Sequence, residues 1–168
     1  MLAAMDVGWA NPASVHGAGR AARAQVEDAR REVGDLLGFD PRDVVFTSGG
    51  TEANNLVLRS VFSALTGGLV TSRLEHPSIV RTAEALATAG VQVVWIPPTE
   101  AGTIDPARVE EALERLGPDA RLVALQAVNH ETGVIQPVDE IAQLLTRRNA
   151  GCDQKVLWHC DAVQAVGR

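Results

Sequence analysis

From Val44 onward, short apolar runs alternate with amphipathic stripes of about three helical turns, an order that favours a parallel sheet whose crossovers are helices. The spacing predicts strands over residues 44–47, 69–72, 91–96, 121–128 and 156–160. Helices are predicted over 51–65, 77–89, 106–116 and 138–148. Ahead of them, Ala22, Val26, Ala29, Val33, Leu36 and Leu37 form one stripe of a helix over 17–37, closed by Gly38. Pro97-Pro98 ends the third strand, and Asp105-Pro106 pairs an N-cap with a proline at the first helical turn. The expected architecture is α/β, with three layers and a mainly parallel sheet carrying helices on both faces. In such a sheet, ligands bind beyond the carboxyl ends of the strands. Four polar segments begin just past predicted strand ends: Gly49-Gly50-Thr51, Glu75-His76-Pro77, Asn129-His130-Glu131-Thr132-Gly133 and Asp161-Ala162-Val163-Gln164. The fold should gather all four on one edge.

At 168 residues, 46% hydrophobic and 21% charged, the chain has the size and composition of one compact core, without internal repeat, low-complexity segment or linker. Lys+Arg 15 against Asp+Glu 21 gives a net charge of −6, with no basic face, which argues against a nucleic-acid partner or an anionic membrane surface. No stretch reaches the ~18 to 20 apolar residues of a membrane span, and residues 1–6 lack the basic start and apolar run of a signal peptide. A cytoplasmic protein is expected. Cys152 and Cys160 form no CxxC pair, so free thiols are expected, with neither a disulfide framework nor a metal site.

The segment Thr47-Ser48-Gly49-Gly50-Thr51 joins an apolar run to a helical stripe. Backbone N–H groups and the Ser48 and Thr51 hydroxyls can converge there at a helix N-terminus that favours a phosphate, although the same turn also serves as a plain connection. Asp161 is either the N-cap of the next turn or a fixed anion facing a protonated ring nitrogen, as in pyridoxal phosphate sites, with Gln164 one turn away. His76 precedes Pro77, so its backbone is extended and its ring either caps the helix or projects over the site. Asn129 interrupts an apolar strand. A turn explains Thr132 and Gly133 without requiring an amide at 129, and such an amide suits a ligand oxygen. A metal site at His159-Cys160-Asp161 is disfavoured because successive strand side chains point to opposite faces.

Taken together, Asn11-Pro12-Ala13-Ser14-Val15-His16, Thr47-Ser48-Gly49-Gly50-Thr51-Glu52-Ala53-Asn54-Asn55, Glu75-His76, Val128-Asn129-His130-Glu131-Thr132-Gly133 and His159-Cys160-Asp161-Ala162-Val163-Gln164 resemble the cysteine desulfurases. These belong to the class V aminotransferase group of fold-type I pyridoxal-phosphate enzymes. The resemblance implies that Gly50 and Thr51 hold the phosphate of pyridoxal 5'-phosphate, that His76 stacks on the ring and assists proton transfer, and that Asn129 orients cofactor and substrate oxygens. By the same resemblance, Asp161 pairs with the pyridinium nitrogen and Gln164 with the ring hydroxyl. Gly50 stands where the family commonly has Ala, and His130 where it often has Asn.

The resemblance further implies what lies outside these 168 residues: an N-terminal Asp-Asn-Ala-Ala-Thr stretch, the Schiff-base lysine, and a small domain with the persulfide-forming cysteine loop. Residues 1–168 then form a partial cofactor-binding large domain, less than half of a full-length member. The one lysine, Lys155, precedes Asp161 by six residues of extended strand, about 20 Å at roughly 3.3 Å per residue, toward the wrong end of the sheet. A chain of this kind is expected to act on L-cysteine or a related amino acid as part of a homodimer or with a complementing half-chain, and to pass sulfur to an acceptor protein. Alternatives are another class V enzyme such as a selenocysteine lyase, or a non-catalytic interaction module.

Overall fold

The computed structural model describes Met5 and residues 9–167; the reading of residues 1–6 as lacking a signal peptide rests, apart from Met5, outside that range. The described chain clusters as two units divided between Phe46 and Thr47, where one was expected.

In the first unit, helix α1 (Gly17–Leu37) matches the predicted boundaries. His16 caps it by accepting the Gly19 N–H on Nδ1 at 3.2 Å, and Gly38 ends it in the left-handed region, φ 72°, where a side chain would be strained. On its apolar stripe Ala22 is buried and Val26 and Val33 are half-buried, while Leu36 is 70% exposed. Residues 44–47, predicted as a strand, are not one. A strand needs a neighbour's N–H and C=O groups, and no ladder reaches this segment among the described residues. The Arg30 guanidinium instead stacks over the Phe46 ring at 5.0 Å and donates to the Val44 carbonyl.

The second unit is built on four parallel strands, β1 (Gly68–Ser72), β2 (Gln92–Ile96), β3 (Ala120–Ala124) and β4 (Leu157–His159), in the order β2-β1-β3-β4. Every residue of β1 is buried. Period-2 alternation then splits the core. Leu69, Leu122 and Ala124 face helices α2 (Gly50–Val61) and α3 (Pro77–Thr88). Val70, Ile96 and Val123 face helices α4 (Pro106–Leu116) and α5 (Val138–Asn149). The expected three layers are present. Asp105 caps α4 by accepting the Ala107 N–H at 2.9 Å, with Pro106 at its first turn.

Two elements end earlier than their apolar runs. Helix α2 stops at Val61, followed by Leu65 with φ 53° and a glycine turn into β1. The β3 ladder stops at Ala124, although the Leu125 and Ala127 N–H groups still donate to the carbonyls of His159 and Asp161. None of the described helices is long and apolar enough to cross a membrane.

Leu122 is 1% exposed at the centre of the sheet. Leu122→Ala should cost roughly 2 to 5 kcal/mol of stability in denaturant titrations. A loss below about 1 kcal/mol would show that the sheet does not carry the core as described.

Candidate functional site

The carboxyl ends of the strands open into a cleft of ≈ 340 Å³ lined by Gly50, Thr51 and Asn54 of α2, His76, Gln126, Val128, His130, and Asp161, Val163 and Gln164 beyond β4. Five of the six residues singled out from sequence thus meet in one place: Gly50, Thr51, His76, Asp161 and Gln164. His76 follows β1, and Asp161 and Gln164 follow β4, two strand ends that a parallel sheet gathers on one edge, while Gly50 and Thr51 open α2 ahead of β1.

At the start of α2, the Glu52 carboxylate reaches back to the Ser48 N–H at 2.6 Å. Hydrogen bonds from the Ser48 backbone and side chain hold it below the usual carboxylate range. Gly50 lies against Val163, so a Cβ at this position would come within 3.0 Å of the Val163 Cγ2. Val163 is 58% exposed and can turn aside, which is consistent with the alanine common here in the family it resembles.

His76 is at once a cap and a cleft residue. It is the N-cap of α3, its Nδ1 accepting the Ser78 N–H at 3.1 Å and lying 2.8 Å from the Ser78 hydroxyl. Its ring meets that of His130 edge-on, centroids 5.2 Å apart at 64°. Asp161 accepts from Asn54 Nδ2 at 2.9 Å and from the Val163 N–H at 3.2 Å, so it caps its own turn and still presents a carboxylate to the cleft.

Asn129 does not line this cleft. Its Nδ2 donates to the Leu74 carbonyl at 2.9 Å, and its Oδ1 accepts from the N–H groups of Glu131 and Thr132 and from the Thr132 hydroxyl, at 3.0, 2.8 and 3.0 Å. The expectation that the turn needs no amide at 129 is therefore corrected: the amide organises the turn that ends at Gly133, φ 72°. The sequence reading gave no role to Asn54, Ser78 or Gln126. Asn54 carried a readable signal, being a polar residue on the buried stripe that continues into Leu58 and Phe62.

Three groups beside the cleft, buried Glu75 and half-buried His159 and Cys160, are tuned by desolvation. Glu75, 3% exposed, has its carboxyl pushed up to about 8, mainly by burial; the Gln126 N–H it accepts at 2.9 Å pulls the other way, and the Asp161 charge adds to the rise. Burial lowers the His159 pKa, with Asp161 opposing. It raises the Cys160 thiol to about 11, helped by Glu75 and Asp161. Cys160 is thus a poor thiolate near neutrality. Both cysteines are free.

Residues 6–168 match the family described as Aminotransferase class-V, and the chain belongs to that family. It is 38% identical over 164 residues to a cysteine desulfurase of Mus musculus, covering 95% of this chain and 34% of the mouse protein. The solved structure of a NifS-like protein superposes with TM-score 0.89 at 30% identity, over 99% of this chain and 45% of that one. SspA, solved in complex with cysteine, superposes with TM-score 0.85 at 32% identity, over 94% and 44%. The chain therefore spans about a third to under half the length of these relatives.

Between an unfolded-state carboxyl near 4.5 and a folded one near 8, the folded chain holds an extra proton at Glu75, so stability falls as pH rises through that window. Glu75→Gln retains an acceptor for the Gln126 N–H and removes the titration. Compared with this variant, the parent chain should lose on the order of 3 kcal/mol between pH 5 and pH 8. Parallel pH–stability curves for the two proteins would refute the assignment.

Proposed function

We propose that these residues form the cofactor-binding part of a pyridoxal 5'-phosphate enzyme that takes sulfur from L-cysteine and hands it on as a persulfide. What carries the reading is the juxtaposition of a helix start at Gly50-Thr51, a carboxylate at Asp161 and a histidine at position 76 around one cleft. The donor set fits that cofactor. N-terminal N–H groups and the Thr51 hydroxyl suit a phosphate, each Asp161 oxygen keeps a free lone pair, and ≈ 340 Å³ lies within the size range of small-molecule pockets.

On this reading, Thr51 and the Gly50 turn hold the phosphate, Asp161 holds a proton on the ring nitrogen, and Gln164 hydrogen-bonds the ring hydroxyl. His76 would stack on the ring and assist proton transfer. When bound, the cofactor supplies an electron sink for bonds broken at the substrate α-carbon. Asn129 keeps the 129–133 turn in place rather than reaching the ring itself. Beside the cleft, Val163 and Val166 remain 58% and 47% exposed, apolar surface suited to cover by further polypeptide, either the rest of the protein or a second copy. A sulfur-acceptor protein would complete the reaction.

Thr51→Ala should weaken pyridoxal phosphate binding by about 1.5 to 3 kcal/mol, the worth of one hydrogen bond to a charged group. Titration followed by absorbance measures it, and unchanged affinity would remove Thr51 from the phosphate site.

Lys155 precedes β4 while Asp161 follows it, so the two lie at opposite ends of that strand. Borohydride treatment of the 168-residue chain with pyridoxal phosphate should leave no site-specific adduct on Lys155, as read by peptide mass spectrometry. Such an adduct, together with alanine formed from cysteine, would overturn this placement of the chemistry.

A further inference from the structure

Asn54 is 3% exposed and lies where an apolar side chain would continue the packing of Leu58 and Phe62. Instead its amide is used on both sides. Nδ2 donates to Asp161 Oδ2 at 2.9 Å and to Ser78 Oγ at 3.0 Å, and Oδ1 lies 2.7 Å from His159 Nε2. An ionised carboxylate only accepts, which fixes the orientation of the amide. Its oxygen must then receive the proton, so His159 carries hydrogen on Nε2. Ser78 extends the chain. Having accepted from Asn54, its hydroxyl is free to donate to His76 Nδ1 at 2.8 Å, the nitrogen that also receives the Ser78 backbone N–H at 3.1 Å. A backbone N–H can only donate, so Nδ1 is bare and the neutral His76 ring holds its proton on Nε2.

Strand alternation makes the arrangement possible. His159 lies on the sheet face covered by α2 and α3, in register with Ala124, while Trp158 packs on the other side. Asn54 on α2 therefore meets His159, the last residue of β4, together with Asp161, which follows two residues later.

We infer that Asn54 is a positioning residue: one buried amide ties the Asp161 carboxylate to the Ser78–His76 pair, and so fixes the two groups of the cleft relative to each other and sets the proton position on His159. This rests on the reading that Asp161 and His76 face the cofactor. The alternative is an amide that only stitches α2 to β4. Buried partners of this kind orient the groups that touch a ligand without touching it themselves.

The test begins without cofactor. Long-range proton–nitrogen NMR correlation on the full chain labelled with ¹⁵N-histidine should show both His76 and His159 as Nε2–H tautomers at neutral pH, and a proton on Nδ1 of either overturns the network. Asn54→Leu should release His159 into a mixture of tautomers and weaken pyridoxal phosphate binding by about tenfold. Asn54→Asp keeps an acceptor for His159 but offers no donor to Asp161, so it should preserve the His159 signature while still weakening binding. A purely stitching amide would lower the unfolding midpoint and leave the affinity of the folded variants at the parent value, which would refute the proposal. Should Asn54→Leu not fold, the parent spectrum and Asn54→Asp still decide. If the parent chain shows no affinity that Thr51→Ala reduces, the cofactor reading has failed, and the histidine signatures continue to judge the network separately.

Discussion

The parallel pairing of β1 with β2 and β3 is the constraint on which the rest of this unit depends. Buried along its whole length, β1 satisfies its backbone groups only through its neighbours, in the registers Val70↔Val94 and Val70↔Val123. Parallel register aligns the carboxyl ends, so the chain leaves the sheet on one edge after each strand. Every polar segment placed just past a strand is delivered there regardless of its distance in sequence. Asp161 is delivered there past β4 and meets Asn54 of α2, 107 residues away in sequence, in a hydrogen bond.

How much of this was legible in the sequence follows from which signals are local. Helices α3, α4 and α5 announce themselves through 3.6-residue periodicity, helped at α3 and α4 by side-chain caps, and their observed bounds depart from the expected ones by no more than a residue. Residues 44–47 read as a strand because Val44, Val45 and Phe46 have strand-forming side chains, yet a strand is a relation between segments and the described chain offers this one no partner. Among candidate site residues, Gly50, Thr51, His76, Asp161 and Gln164 were visible because each lies in a polar break after an apolar run. Asn54 was not singled out, since it lies inside a helix where its neighbours explain the pattern. Asn129 was assigned to a ligand because the demands of its turn, which needs two backbone N–H groups and a hydroxyl accepted at once, are conformational and leave no composition signal.

Two carboxylates lie near the same edge with different fates. Asp161 has a side-chain amide and a backbone N–H as donors and borders the cleft. Glu75 is buried with one donor, on Oε1, while its Oε2 has no partner, and burial drives it toward the neutral form. A neutral Glu75 spares Asp161 a second negative charge in a region of low dielectric, where like charges repel most strongly. The anion of this edge is thereby concentrated on the group that faces the cleft.

The same hydrogen bonds that build the fold also shape the site. His76 starts α3 by accepting the Ser78 N–H, and that bond strips Nδ1 of its proton and leaves Nε2–H for the cleft. Asp161 closes the turn after β4 through the Val163 N–H, and the turn in turn holds Gln164 on the cleft wall. A cap and a cleft group are ordinarily alternative readings of a polar residue at an element's end. Here they coincide, because each residue spends one face of its polar group on the backbone and keeps the other for the cleft. Truncating either side chain would therefore remove a helix or turn cap, worth about 1 kcal/mol, along with a cleft group, so any loss of binding at these positions must be judged against the conservative substitution that keeps the cap.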